Sequence, residues 1–212
     1  MQYTHILWDF NGTILDDVET GICCINRLLS RRNLPLLPDR AAYQAVFGFP
    51  IIEYYLRVGL DLEKEKYADL AIEWVNEYNR EVKNAPLCPG VWEANRFFQG
   101  KGCHQTVLSA TEKEMLRGQL TDLGLLEHFD DFTGLDNIHA AGKIELAKAY
   151  LQGKDPGKCL FLGDTCHDFE VARAVGADCI LIAFGHQSRK QLESCGCPVI
   201  DSLLELPSLL KE

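Results

Sequence analysis

Four stretches of this chain hold residues that could do chemistry. Asp9-Phe10-Asn11-Gly12-Thr13 follows the apolar run Ile6-Leu7-Trp8. A short apolar run that stops at an acidic residue and a glycine turn reads as a buried strand delivering a carboxylate to a sheet edge. In open α/β sheets, ligands bind at the carboxyl ends of the strands. A carboxylate placed there can attack phosphorus and form an aspartyl-phosphate; a turn or helix-capping aspartate would look the same locally. Gly163-Asp164-Thr165-Cys166-His167-Asp168 repeats the arrangement after Cys159-Leu160-Phe161-Leu162. Asp164 and Asp168 are hard oxygen donors of the kind Mg²⁺ takes, and Asp164 could also cap a helix beginning near 166. Ser109 ends the run Thr106-Val107-Leu108. Its hydroxyl, with the N–H groups of a helix starting at Thr111-Glu112, would suit a phosphate oxygen or serve as a plain N-cap. Lys143, in Ala141-Gly142-Lys143-Ile144-Glu145, stands in the first turn of a helix. The macrodipole disfavours a cation there by ~0.3–1 kcal/mol. Carboxylates and a phosphate would offset that cost, and an exposed lysine would carry it trivially.

The elements that must position these residues alternate along the chain. Apolar runs at 4–9, 105–109, 131–133, 159–163 and 179–183 read as strands. Residues 113–123, 143–151 and 166–175 read as helices by their apolar spacing. Strands alternating with helices predict an α/β fold, a mostly parallel sheet with helices on both faces. Residues 14–84 interrupt the alternation with amphipathic segments, above all 63–82, and no convincing strand. The first βα connection is thus inflated into an all-α subdomain, and Pro86, Pro89 and Gly90 mark the return. The expected units are 1–13 with 85–212, and 14–84.

Bulk properties narrow the function. Net charge is −10 and 47% of the 212 residues are hydrophobic. That balance argues against nucleic acid and against an anionic membrane surface as partners. It leaves a small anionic substrate open, because the local field of a cleft outranks net charge. The chain has nine cysteines and no Cys-x-x-Cys pair, and Cys195-Gly-Cys197 is too closely spaced for the usual zinc pairs. Reduced thiols in a cytoplasmic protein are the expectation. The start MQYTHILWDF lacks the basic region of a signal peptide, and no apolar stretch approaches the ~20 residues of a spanning helix.

Taken together, Asp9-Phe10-Asn11-Gly12-Thr13, Ser109, Lys143 and Gly163-Asp164-Thr165-Cys166-His167-Asp168 resemble the haloacid dehalogenase superfamily. The closer likeness is to its phosphoglycolate phosphatase and β-phosphoglucomutase-like branch, and it covers essentially the whole chain. The resemblance implies a Rossmann-like core and a helical cap at 14–84. It implies Asp9 as nucleophile and Mg²⁺ ligand, with Asp164 and Asp168 holding the metal directly or through water. Residue 11 would give its backbone carbonyl to Mg²⁺. Gly12, Thr13, Ser109, Ala110 and Lys143 would surround the phosphoryl group. The expected partner is a small phosphorylated metabolite, and the chain a monomer or homodimer.

Asn11 departs from the pattern. Phosphatases of this family usually have aspartate there, which protonates the leaving oxygen and then activates water. Asparagine can hydrogen-bond but cannot exchange a proton near neutral pH, and losing a positioned acid/base typically costs about 10²–10⁴ in rate. Three accounts stand: a slow phosphatase with water or His167 sharing proton transfer, a binding protein that has lost catalysis, or an altered residue, since Asn-Gly can deamidate. A carbon–halogen hydrolase fits poorly with the retained Asp164 and Asp168. A carbon–phosphorus hydrolase lacks a convincing cap lysine, because Lys64 and Lys66 lie in a charged stretch. Gly48-Phe49-Pro50 resembles the cap loop that faces the catalytic aspartate. Tyr54, Tyr55 and Arg57 could line the cleft, although helical spacing explains the tyrosines equally well as core.

Overall fold

A computed structural model describes residues 3–136, 142–154 and 157–210. Ala141 of the lysine motif lies outside the described residues. The chain runs β1 (His5–Trp8), α1 (Val18–Arg31), α2 (Arg40–Val46), α3 (Ile51–Arg57), α4 (Tyr67–Glu81), α5 (Val91–Gln99), β2 (His104–Glu112), α6 (Lys113–Asp122), β3 (Asp131–Leu135), α7 (Lys143–Leu151), β4 (Cys159–Gly163), α8 (Cys166–Val175), β5 (Asp178–Ile182), α9 (Arg189–Glu193), β6 (Val199–Ile200) and α10 (Leu206–Leu209). Among the described residues the strands form one six-stranded sheet in the order β3-β2-β1-β4-β5-β6, with every pair parallel. It is the Rossmann-type α/β fold the alternation predicts.

Side chains alternate across a strand, so each strand feeds two layers. Ile6 and Trp8 of β1 join Val107, Leu160 and Ile180 in one core, which α5 closes with Ala94 and Phe98. Leu7 points the other way and joins Leu108, Phe161 and Leu181 against Ala147 of α7 and Val171 of α8. Both faces of β1 are buried, which is why it reads as a continuous apolar run rather than an alternating one. The reversal of strand order on either side of β1 puts a crevice beside its carboxyl end.

Helices α1–α4 have a core of their own. Val18, Ile22, Ile25 and Leu29 recur at helical spacing along α1 and meet Tyr43, Tyr54, Tyr55 and Leu70. Trp74 of α4 packs against both this cluster and the main core.

Several boundaries differ from the sequence reading. β2 continues through Thr111 to Glu112, and α6 starts at Lys113 with the Glu112 carboxylate capping it. The helix expected at Thr111-Glu112 is therefore a strand end, because β3 pairs with Glu112 through Leu135 after a break in register. β6 has two residues, too few for any periodicity to register. α5, α9 and α10 add to the expected helices. No helix among the described residues is long and apolar enough to cross a membrane.

Candidate active site

The end of β1 is stitched to β4 by a hydrogen bond from the Asp9 backbone N–H to the Leu162 carbonyl at 2.8 Å. This places Asp9 beside Asp164, which follows β4 directly. Asp168 reaches the same point from the first turn of α8. Each carboxylate is buried, and together they offer ligand oxygens lying within 4.8 Å of one another. Lys143, at the start of α7, sends its ammonium between two of them. It donates to Asp9 Oδ1 and, at 2.6 Å, to Asp168 Oδ1.

The turn chemistry supports this convergence. Gly12 has φ of +73°, and a Cβ there would sit 2.2 Å from Asp164 Oδ2. Only glycine lets the loop pass so close to the second carboxylate. The cap of α8 is Thr165 rather than Asp164. Thr165 Oγ1 donates to Asp168 Oδ2 at 2.6 Å, and Asp168 also accepts the Thr165 backbone N–H at 3.0 Å. Asp164 is thereby left for the site, where it accepts from His186 N at 2.6 Å and Thr13 Oγ1 at 3.4 Å.

The charges are not balanced. Burial pushes the Asp9 carboxyl up to about 6, with Lys143 only partly offsetting it. Burial also raises Asp164 well above the usual carboxylate range, against the pull of His186. At Asp168, burial is outweighed by Lys143 and the Thr165 bonds, which hold the carboxyl below its ordinary value. Burial disfavours the Lys143 ammonium, yet Asp168 and Asp9 more than compensate and keep it charged. Hard oxygen donors packed this closely, two of them driven toward the neutral form, match a site for a small divalent cation, which reverses that drive.

Asn11 is fixed in a second network. Its Nδ2 donates to Asp17 Oδ2 at 2.9 Å and to Tyr78 Oη at 2.7 Å, and its Oδ1 accepts from Thr111 Oγ1 at 3.0 Å. Tyr78 Oη donates to Asp17 Oδ2 at 2.6 Å, and the Gly12 N–H donates to Asp17 Oδ1 at 2.9 Å. His186 Nε2 meets Asp17 Oδ1 at 3.2 Å, and its Nδ1 lies 2.8 Å from Tyr43 Oη. Burial would strip the His186 proton, but Asp17 outweighs it and pushes the imidazole up to about 9. His186 and Asp17 therefore form a buried ion pair under the asparagine.

Asp9, Asn11, Ser109, Ala110, Lys143, Asp164 and Asp168 line one cavity of about 310 Å³, and Phe49 reaches it from the helical side. Gly12, Thr13, Gly48 and Pro50 do not line it. Gly12 and Thr13 direct their donors into the Asp17 and Asp164 carboxylates instead. Tyr54 and Tyr55 line the cavity while also packing in the helical core, so both readings of them hold. Arg57 is elsewhere, with Nε donating to the Val46 carbonyl at 2.7 Å. His167 lines the cavity, paired with Glu170 at 3.0 Å and packed on the Phe49 ring.

The sequence reading missed Asp17, Tyr78, Thr111 and His186. His186 carried a usable signal: it follows β5 in a glycine turn, another strand end on the ligand-binding edge of the sheet. Asp17, just before α1, looks like an ordinary helix cap, yet its side chain makes no cap bond.

The chain matches the haloacid dehalogenase-like hydrolases over residues 6–182. It is 26% identical to a phosphoglycolate phosphatase of Nitrosococcus oceani, an alignment covering 98% of this chain and 96% of the relative. It is 27% identical to a 5'-nucleotidase of Pseudomonas aeruginosa, over 92% of this chain and 89% of the relative. Among solved structures, a haloacid dehalogenase-like family hydrolase from Streptococcus pneumoniae shares the fold with a TM-score of 0.84 at 17% identity, covering 99% of each chain. With the carboxylates, the lysine and the glycine turn brought together on this sheet, the chain belongs to the haloacid dehalogenase-like hydrolases.

Proposed function

We propose that this protein is a Mg²⁺-dependent phosphomonoesterase that works through an aspartyl-phosphate on Asp9. The observation that supports it is the buried trio Asp9, Asp164 and Asp168 at the floor of the cavity, with Lys143 between Asp9 and Asp168. Asp9 spends one oxygen on Lys143 and keeps the other for attack on phosphorus. The bond to the ester oxygen breaks as the Asp9–phosphorus bond forms, and the alkoxide leaves with a proton taken from solvent. Water then cleaves the aspartyl-phosphate and returns Asp9. Lys143 holds Asp9 ionised and in position, and Ser109 with the neighbouring Ala110 N–H would orient the transferring group. Asp9, Asp164, Asp168 and the Asn11 carbonyl would hold Mg²⁺, which offsets charge on the phosphoryl oxygens. Helices α1–α4 act as the cap, excluding water.

Turnover is slow because Asn11 cannot supply the proton, and its amide is already spent on Asp17 and Tyr78. That locked amide also favours a second reading, a phosphate-binding protein of the same fold without turnover. Phosphate release with and without Mg²⁺, measured for the wild type, Asp9→Asn and Asn11→Asp, separates the two. Slow Mg²⁺-dependent release lost in Asp9→Asn supports the enzyme. No release from any form, with Mg²⁺-dependent phosphate binding intact, supports the binding protein.

A further inference from the structure

The cavity above the carboxylates is larger than a phosphoryl group and changes character with height. Its floor is the polar cluster already described. Its walls are aromatic, formed by Phe47, Tyr54, Tyr55, Tyr67 and Trp74, with Ala71 and Val75 of α4 between them. The rings form a continuous surface: Phe47 meets Tyr54 at 5.2 Å, Tyr54 meets Tyr55 at 5.9 Å, and Tyr55 meets Tyr67 at 5.7 Å between centroids. A carboxylate or a polyhydroxy chain in that space would need cations or free donors. The basic side chains among the lining residues are Lys143, His167 and His186. Lys143 is held by Asp9 and Asp168, His186 by Asp17, and His167 by Glu170. Burying an anion against aromatic walls without a partner is unfavourable.

An aromatic ring fits on both counts. An apolar cavity of ~150 Å³ already holds benzene, and this one has about 310 Å³ for ring and phosphoryl group together. Aromatic pairs gain further from edge-to-face contact.

We infer that the substrate is a phosphate monoester whose alcohol carries an aromatic ring. This rests on the phosphoryl-transfer reading of the cavity floor. The ring lies between the α3 tyrosines and Trp74, and the phosphoryl group lies over Asp9.

A matched pair of inert phosphonates tests this without depending on turnover. Benzylphosphonate and phosphonoacetate differ only in phenyl against carboxylate on the same CH₂–PO₃ unit. Titration of the Mg²⁺-loaded protein is expected to show benzylphosphonate bound about ten-fold or more tighter, the scale that burying one ring supplies. Trp74→Ala narrows the ratio toward unity. Tyr67→Ala, at a half-exposed position, does the same if the tryptophan variant does not fold. Phosphonoacetate binding as tightly as benzylphosphonate, or tighter, would overturn the inference, even with phosphate release from esters intact. A preserved preference for the ring with no phosphate release from any ester would instead overturn the hydrolytic reading and leave the ring-binding character of the cavity standing.

Discussion

Two charge clusters, one at the sheet edge and one in the helical layer, follow opposite rules. At the carboxyl end of the sheet, three carboxylates are buried together and one ammonium pairs with two of them. Between α1 and α4, Arg27, Arg31 and Arg32 interleave with Glu65, Glu73, Glu77 and Glu81, each arginine reaching two carboxylates. In the helical layer the arginines lower the carboxyls of Glu65, Glu73 and Glu77 below their ordinary values. In the core, burial raises Asp9 and Asp164. The lattice satisfies its own charge and keeps the arginines part-exposed. The core holds negative charge it cannot neutralise alone. A cluster that closes on itself serves the fold, whereas one that keeps unbalanced buried charge is a candidate for function.

Removing the ammonium held between Asp9 and Asp168 is the severest way to break this comparison. Lys143→Met leaves Asp9 and Asp168 facing each other unpaired. It should cost about 3–5 kcal/mol in urea unfolding without metal and abolish phosphate release. A stability near wild type would mean the lysine is not compensating buried charge. Asn11→Asp should raise turnover by about 10²-fold, the usual worth of a positioned acid/base. The new carboxylate sits beside Asp17, whose charge favours the protonated acid form that a leaving group needs. Unchanged turnover would show that another group already moves the proton.

Chelating the metal should act on the core and spare the lattice. At Mg²⁺ one hundred times its dissociation constant the linkage is worth about 2.7 kcal/mol, or a melting shift of roughly 5–10 °C for a chain of this length. An identical shift in Asp164→Asn would place the ion elsewhere. The lattice gives the smallest effects. Arg32→Ala should lose about 1 kcal/mol or less, and high salt should erase most of it. Its pH dependence has a defined sign. The Glu73 carboxyl is lowered in the folded state, so its contribution is complete above the ordinary value of 4.5 and disappears as pH falls through the lower folded value. The melting difference between wild type and Glu73→Gln should therefore be constant near neutrality and vanish in acid. A difference that grew on acidification would refute the pairing.

Much of the site was legible because strand ends announce themselves. An apolar run, an acidic residue and a glycine are local, and Asp9 and Asp164 each follow such an end, whereas Ser109 lies inside β2. Lys143 was legible as a misplaced cation in a first helical turn. Asp17 and Tyr78 were not, because their partners lie far along the chain: Tyr78 Oη reaches Asp17 across 61 residues. The two tyrosines on α3 carried both a packing and a lining role, and helical periodicity is the same for either.

The amino-acid order alone carried the alternating α/β pattern, the helical stretch after β1 and the candidate site residues Asp9, Ser109, Lys143, Asp164 and Asp168. These depend on local period and residue type. Only the tertiary structure decided that Asn11 is held by Asp17 and Tyr78, that Thr165 rather than Asp164 caps α8, and that the cavity roof is aromatic. Each depends on which distant groups share a desolvated space, where burial and unshared charge set the energies and sequence spacing carries no information about them.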